Sequence, residues 1–215
     1  MVGEPHKGGR LSLLTVSRLS LYLRRLEALA AEGVKTVSSA QLGQPLGISD
    51  AQVRKDLAAL GHLGHPGVGY YPQELIGVLR QTLGLDCRWP VVLIGAGNLA
   101  RALLKYCGFQ QQGFHIVAVF DADPAKIGEQ IEQWCVCGMD RLSELVAYHR
   151  AELAILAVPA AAAQTVADAL VAAGIRGILN FAPVVLRVPG HVQVVAVDLA
   201  LQLEQLAYLV RGSSA

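Results

Sequence analysis

Between residues 18 and 85 apolar positions recur every three or four residues, and beyond residue 90 short apolar runs alternate with helical stretches. The first pattern predicts a small helical domain. Leu19, Tyr22, Leu23, Leu26, Leu29 and Ala30 form one helical stripe, with Arg18, Arg24 and Arg25 among them, and Gly33 ends it. Ser38 with Gln41, and Ser49 with Gln52, have capping-box spacing. They predict one helix with Leu42 and Leu46 facing the core, a turn at Gly47, and a second helix over Asp50–Leu60. In the second helix Val53, Leu57 and Leu60 share a face, and Ala51, Arg54, Lys55 and Ala58 lie opposite. Two short capped helices joined at a glycine make a helix-turn-helix whose second helix offers a small, basic face to a major groove. On the helices alone, an ordinary helical hairpin with a solvated Arg–Lys pair remains the alternative. The glycine-punctuated stretch from Gly61 to Tyr70 reads as the hairpin wing of a winged helix. Pro45, near the end of the first helix of the pair, predicts that this helix is shortened.

Pro72 to Leu85 reads as a linking helix, and Trp89-Pro90 begins the second domain. Strands are predicted near 91–95, 115–120, 134–137, 152–158, 175–180 and 192–197, and helices near 98–107, 124–130, 140–149 and 161–173. This alternation predicts an α/β fold, a Rossmann-like doubly wound parallel sheet behind an N-terminal winged helix-turn-helix domain. Asp198 caps a last helix, Leu199–Val210, whose apolar stripe of Leu199, Leu203, Leu206 and Val210 calls for a second subunit to cover it. The expected divisions are a flexible leader over 1–14, a DNA-binding domain over 15–85, a nucleotide-binding domain over 86–197 and a C-terminal dimerisation helix and tail over 198–215.

The chemistry concentrates where the first of these strands ends. Val91-Val-Leu-Ile breaks into Gly95-Ala96-Gly97-Asn98-Leu99-Ala100 and continues as a helix, a Gly-x-Gly-x-x-Ala turn. Gly95 permits the tight turn, Gly97 lets backbone approach a pyrophosphate, and the helix N-terminus favours anions. The next apolar strand ends at Asp121, 26 residues after Gly95. An acid there accepts ribose hydroxyls and repels a 2′-phosphate, so the expected cofactor is NAD as NADH and NAD+. A Gly-rich turn with an incidental acid is the other reading of the same residues.

Composition narrows the classes. The 215 residues are 53% hydrophobic, enough for a sizeable core. Mean hydropathy is +0.42, which argues for a packed rather than a disordered chain. The longest uncharged apolar stretch, Leu153 to Ala167, is too short for a membrane span and contains Pro159. The N-terminus lacks the apolar core of a secretion signal, so a cytoplasmic location is expected. The net charge of +1 hides an asymmetry: residues 1–85 carry nine Lys and Arg against six Asp and Glu, and the remainder nine against eleven. Cys135 and Cys137 share a face of a predicted strand, without further ligands at metal-binding spacing, so no metal is expected. Core packing is the expected role of the pair, with a redox-active thiol as the alternative.

Taken in order, these stretches resemble the redox-sensing transcriptional repressor Rex family from about Arg18 to Val210. The likeness rests on Arg18-Leu-Ser-Leu-Tyr22, Ser49-Asp-Ala-Gln-Val-Arg-Lys-Asp56, the wing Gly64-x-x-Gly67-Val-Gly69-Tyr70, Gly95-Ala-Gly-Asn-Leu99, Phe120-Asp-Ala-Asp-Pro124, Ala157-Val-Pro-Ala160, Gly177-Ile-Leu-Asn-Phe-Ala-Pro183 and Val197-Asp-Leu199. The resemblance implies a homodimer that binds double-stranded operator DNA of the AT-rich inverted-repeat kind when NAD+ prevails and releases it when NADH rises. It implies DNA contacts from Ser49, Gln52, Arg54 and Lys55 on the recognition helix and from Gly67, Gly69 and Tyr70 in the wing. It further implies that Pro159, Asn180, Phe181, Ala182 and Pro183 line the nicotinamide pocket. The C-terminal helix is expected to swap between subunits, with Tyr106, Asp198 and Leu199 coupling them. The wing departs from the family pattern at His65 and Pro66, where basic residues are usual, and this weakens the expected grip on a minor groove.

Two other functions compete. An NAD-dependent oxidoreductase fits poorly: the Rossmann part ends near residue 197 with no substrate domain, no Tyr-x-x-x-Lys pair follows Tyr106, and His115 and His149 sit at a strand start and a helix end. The expectation is therefore not an enzyme. The remaining reading is a Rex-like regulator with altered DNA affinity or a thiol-oxidation trigger through Cys107 or the Cys135/Cys137 pair.

Overall fold

A computed structural model describes residues 11–212. The chain forms two compact units that divide between Cys87 and Arg88.

The first unit is built on the predicted helical stripe. Helix α1 (Leu13–Ala31) starts where the Ser12 side chain accepts the Thr15 N–H at 3.2 Å and buries Leu19, Tyr22, Leu23, Leu26 and Leu29. Leu13 and Leu14, expected in the flexible leader, are thus its first turn, because Ser12 supplies an N-cap. Residues 1–10 of that leader lie outside the described residues. Helix α2 (Ser39–Gly43) carries a complete capping box on Ser38 and Gln41. It gives way to a 3₁₀ turn over Gln44–Leu46, the shortening that Pro45 predicts. Helix α3 (Asp50–Ala58) is capped by Ser49, which accepts the Gln52 N–H at 3.2 Å. The expected second capping box is only half formed, because the Gln52 amide turns to Asp56 instead. Helix α4 (Pro72–Thr82) was expected as a linker. It buries Leu75 and Leu79 in the same apolar cluster as α1, so it is part of this unit's core.

The second unit holds a seven-stranded sheet in the order β3-β4-β2-β1-β5-β6-β7. Its strands are β1 (Trp89–Ile94), β2 (Phe114–Asp121), β3 (Gln130–Ile131), β4 (Trp134–Gly138), β5 (Leu153–Leu156), β6 (Gly177–Asn180) and β7 (Gln193–Ala196). All neighbours pair in parallel except β3 with β4. Alternation along β1 sends Val92 and Ile94 into one apolar layer and Val91 and Leu93 into the other, which is why a central parallel strand reads as an unbroken apolar run. The helices are α5 (Asn98–Leu104), α6 (Gly108–Gln111), α7 (Leu142–His149), α8 (Ala160–Ala172) and α9 (Leu199–Gly212).

Two helix expectations fail here. The single helix over 98–107 breaks after Leu104 and resumes as the short α6. The helix over 124–130 does not form: Lys126 and Ile127 donate to the Asp123 carbonyl in a turn, and Gly128 (φ +87°) donates to Val136 at 2.9 Å. Pro124 and Gly128 bracket a segment of about one turn, too short to propagate a helix, and the chain leaves it to pair β3 with β4.

Candidate functional site

The glycine turn joins β1 to α5 at the sheet's carboxyl edge. Ile94 pairs with Phe120 of β2 and with Leu156 of β5, and Leu156 pairs with Asn180 of β6. The chain therefore leaves all four strands side by side, and connections run in opposite directions on the two sides of β1. A crevice at such a switch point is where open α/β sheets bind nucleotides. Gly95 has φ +102°, and a Cβ on it would strike the Ala157 carbonyl, so the turn admits only glycine. A Cβ on Gly97 would meet nothing within 4 Å, so glycine there keeps open the approach to backbone. Gly97 caps α5 without a side-chain acceptor, leaving the N–H groups of the first turn to a ligand or water. Asn98 and Leu99 begin that turn and are exposed, and Ala96 is buried behind it.

Asp121 ends β2 with its side chain only 11% exposed. Its Oδ2 accepts the Ala96 N–H at 2.8 Å and the Lys126 ammonium at 3.1 Å, and its Oδ1 accepts the Asp123 N–H at 2.9 Å. Burial alone would push its pKa up, but these N–H groups and the ammonium outweigh burial and hold it below the ordinary carboxylate value. The expected ribose acceptor is thus also a strut that shapes the glycine turn. Lys126, 3.9 Å from Asp123 as well, was missed from sequence because the segment carrying it reads as helix.

The loops that follow β5 and β6 come to the same edge. Pro159 is exposed and caps α8. Asn180 is fully buried: its Nδ2 donates to the Ala182 and Val184 carbonyls at 3.1 and 2.9 Å, and its Oδ1 accepts the Ala182 N–H at 2.9 Å. Its polar atoms are all engaged in holding the 180–184 loop, so it braces that loop rather than facing a ligand. Phe181, half-buried, donates its N–H to Leu156 at 2.9 Å; Ala182 is buried and Pro183 exposed. Open backbone at Gly97, an ionised acid at Asp121 and a tied apolar loop beyond them fit a dinucleotide.

In the first unit the exposed face of α3 presents Asp50, Ala51, Arg54, Lys55 and Ala58. Arg54 is held by Asp50 at 2.6 Å and by the Ser39 hydroxyl at 3.2 Å. Gln52 lies on the flank, its Nε2 donating to Asp56 at 2.8 Å, so it braces the helix instead of pointing with Arg54. The wing is a tight turn closed by paired His65–Gly69 hydrogen bonds of 2.8 and 2.9 Å, and anchored by a second bridge between Val37 and Tyr70. Tyr70 is only 9% exposed and packs into the unit's core, and a Cβ on Gly69 would press on the Val37 carbonyl. Tyr70 and Gly69 therefore secure the wing. The outward part is Pro66, Gly67 (φ +75°) and Val68. Behind α3, the buried Asp56 accepts Arg18 and Tyr22 from α1, a cluster the sequence pattern did not reveal.

Every residue of α9 is exposed, including Leu199, Leu203 and Leu206. Asp198 caps it as expected, its Oδ1 accepting the Ala200 and Leu201 N–H groups at 2.9 and 3.1 Å. Tyr106 is 56% exposed and packs edge-on against Phe109, with ring centroids 5.2 Å apart; within one chain it does not pair with Asp198. Cys135 is exposed and Cys137 half-buried against the apolar layer that holds Val92 and Ile94, so the expectation that both thiols pack in the core holds in part for Cys137 and fails for Cys135. No group of three or more metal-ligating side chains gathers among the described residues, and no described helix is long and apolar enough to cross a membrane.

Known proteins match both halves. A family model described as a putative DNA-binding protein N-terminus covers residues 10–58, and one described as a CoA binding domain covers residues 86–184. The redox-sensing transcriptional repressor Rex of Carboxydothermus hydrogenoformans is 50% identical over 205 residues, 95% of this chain and 99% of that protein. The chain belongs to the Rex family of redox-sensing transcriptional repressors. Its fold matches too. RSP, a Rex-family repressor, was solved with NAD+ and operator DNA, and that structure is similar with TM-score 0.89 and 35% identity, covering 95% of this chain and 94% of that one. RSP with NADH gives TM-score 0.85 and 34% identity, covering 95% and 96%. Membership in Rex makes this chain a transcription regulator, and it gives the two halves their relation: one for DNA, one for a nucleotide.

Proposed function

We propose that this protein is a homodimeric, cytoplasmic repressor that holds an operator duplex through α3 and the wing and lets it go when NADH fills the crevice beside Gly97 and Asp121. The observation that carries this reading is the open glycine turn braced by an ionised acid, in the same chain as a capped helix-turn-helix with a basic outer face. A bound nicotinamide supplies a ring whose charge depends on its redox state. The chain supplies the rest. First-turn N–H groups of α5 meet the phosphates, Asp121 accepts from the ribose, and the Asn180-tied loop bounds the ring's end of the crevice. Arg54 and Lys55 reach the major groove, and the exposed apolar face of α9 joins the subunits near Tyr106 and Asp198. The action is binding, with no catalytic step.

Calorimetric titration with NADH, NAD+ and NADPH tests the nucleotide half. NADH and NAD+ should bind, and NADPH at least about tenfold more weakly, a difference of about 1.4 kcal/mol. Equal affinity for NADPH contradicts the role of Asp121, and no binding of any of the three contradicts the reading.

A further inference from the structure

Recognition helix α3 is short, nine residues, and its apolar contacts through Val53 and Leu57 are non-directional. Such contacts bury one face of the helix but carry no hydrogen-bond direction of their own. One buried group supplies direction. Asp56, 4% exposed, receives both arms of the Arg18 guanidinium from α1, Nε at 2.6 Å and Nη2 at 2.7 Å. Tyr22 donates its hydroxyl to the same carboxylate at 3.0 Å, and Gln52 its amide N–H at 2.8 Å. Four donors fill the acceptor sites of one carboxylate. Burial alone would raise the pKa of Asp56, yet these donors hold it below the ordinary value, so the group is a charge paired and saturated.

Resting on the repressor reading above, we propose that Asp56 is a positioning residue for operator recognition: gripped by the Arg18 fork, it sets the rotation of α3 and hence the direction of Arg54 and Lys55. A bidentate fork fixes orientation as well as distance. Asp56 follows Lys55 by one residue and Arg54 by two, steps of about 100° each on a helix, so fixing the rear of α3 aims its front. A wrong rotation leaves a positive surface that still meets phosphates but no longer matches base edges. The fork therefore serves discrimination between sequences more than affinity for DNA in general. Joint replacement of the two charges separates orientation from stability, since buried ion pairs are often replaced by apolar side chains without loss.

The test compares binding of an AT-rich inverted-repeat duplex with the same duplex scrambled, at one salt concentration, for the full chain and three variants. Asp56→Asn and the double variant Arg18→Met/Asp56→Leu should each lower the ratio of specific to scrambled affinity by about tenfold or more. Affinity for the scrambled duplex and for NADH should stay near wild type. Arg18→Lys keeps the charge but not the fork, should also lose discrimination, and serves if the double variant does not fold. A folded variant of either kind that keeps the wild-type ratio overturns the inference. A wild-type protein that cannot tell the two duplexes apart overturns the repressor reading instead.

Discussion

At the scale of single residues, Asp121 does two things at once. It shapes the glycine turn through the Ala96 N–H, and it holds the Lys126 ammonium at 3.1 Å. While Asp121 is ionised that ammonium is engaged, and the end of β2 is acidic overall, with Asp123 beside it. If Asp121 is the ribose acceptor proposed above, removing its charge frees a cation for a 2′-phosphate. Asp121→Asn, which keeps an acceptor for the turn, should therefore reduce the preference for NADH over NADPH by about tenfold, each factor of ten being about 1.4 kcal/mol. Lys126→Gln should sharpen that preference. Parallel calorimetric titrations decide it: unchanged ratios in both variants mean that the adenosine lies elsewhere. Gly95, Gly97 and Asp121 were legible in the sequence because each is fixed by a local demand, a positive φ, an open approach or the end of a strand. Asp56 was not. Its partner Arg18 lies 38 residues away, and helical periodicity shows that a position is buried without showing what it meets.

At the scale of elements, most helices and strands could be read from periodicity and caps, and the errors fall where local signals conflict. Residues 124–130 hold helix formers, but Pro124 and Gly128 leave about one turn between them, and antiparallel pairing with β4 takes the remainder. Tyr70 and Gly69 belong to the wing, which is expected to face DNA, yet each anchors it from within, Tyr70 in the core and Gly69 against Val37. Cys135 was misjudged because alternation tells which residues share a face but not how far along the strand that face stays covered: Cys137 packs against the core and Cys135 is exposed. The clearest element-level expectation concerns α9. Leu199, Leu203 and Leu206, 65%, 67% and 54% exposed, form an apolar stripe that a monomer would leave in water. If α9 is the joint of the proposed homodimer, deleting residues 199–215 should leave monomers and weaken operator binding, because two half-sites are then no longer held by one body. Sedimentation velocity reads this directly, and a stable dimer after truncation would place the joint elsewhere.

At the scale of the whole molecule, the order of parts was legible: a capped helical domain, then a doubly wound sheet, then an amphipathic helix whose residues are all exposed. The coupling between the parts was not, because on the proposed reading it depends on how two copies of the chain meet, and one sequence shows only one copy. The account requires that nucleotide binding at the carboxyl edge of the sheet and DNA binding by α3 be linked, and linkage is reciprocal: whatever NADH does to operator affinity, operator must do to NADH affinity by the same factor. The most direct measurement is fluorescence anisotropy of a labelled AT-rich inverted-repeat duplex bound by the full-length protein, titrated separately with NADH and NAD+ at fixed salt. NADH should release the duplex and NAD+ should leave it bound, with operator affinity differing by at least about fivefold between the two, the lower end of ordinary allosteric coupling. A duplex held equally well under both nucleotides, in a protein that demonstrably binds both, would contradict the central claim.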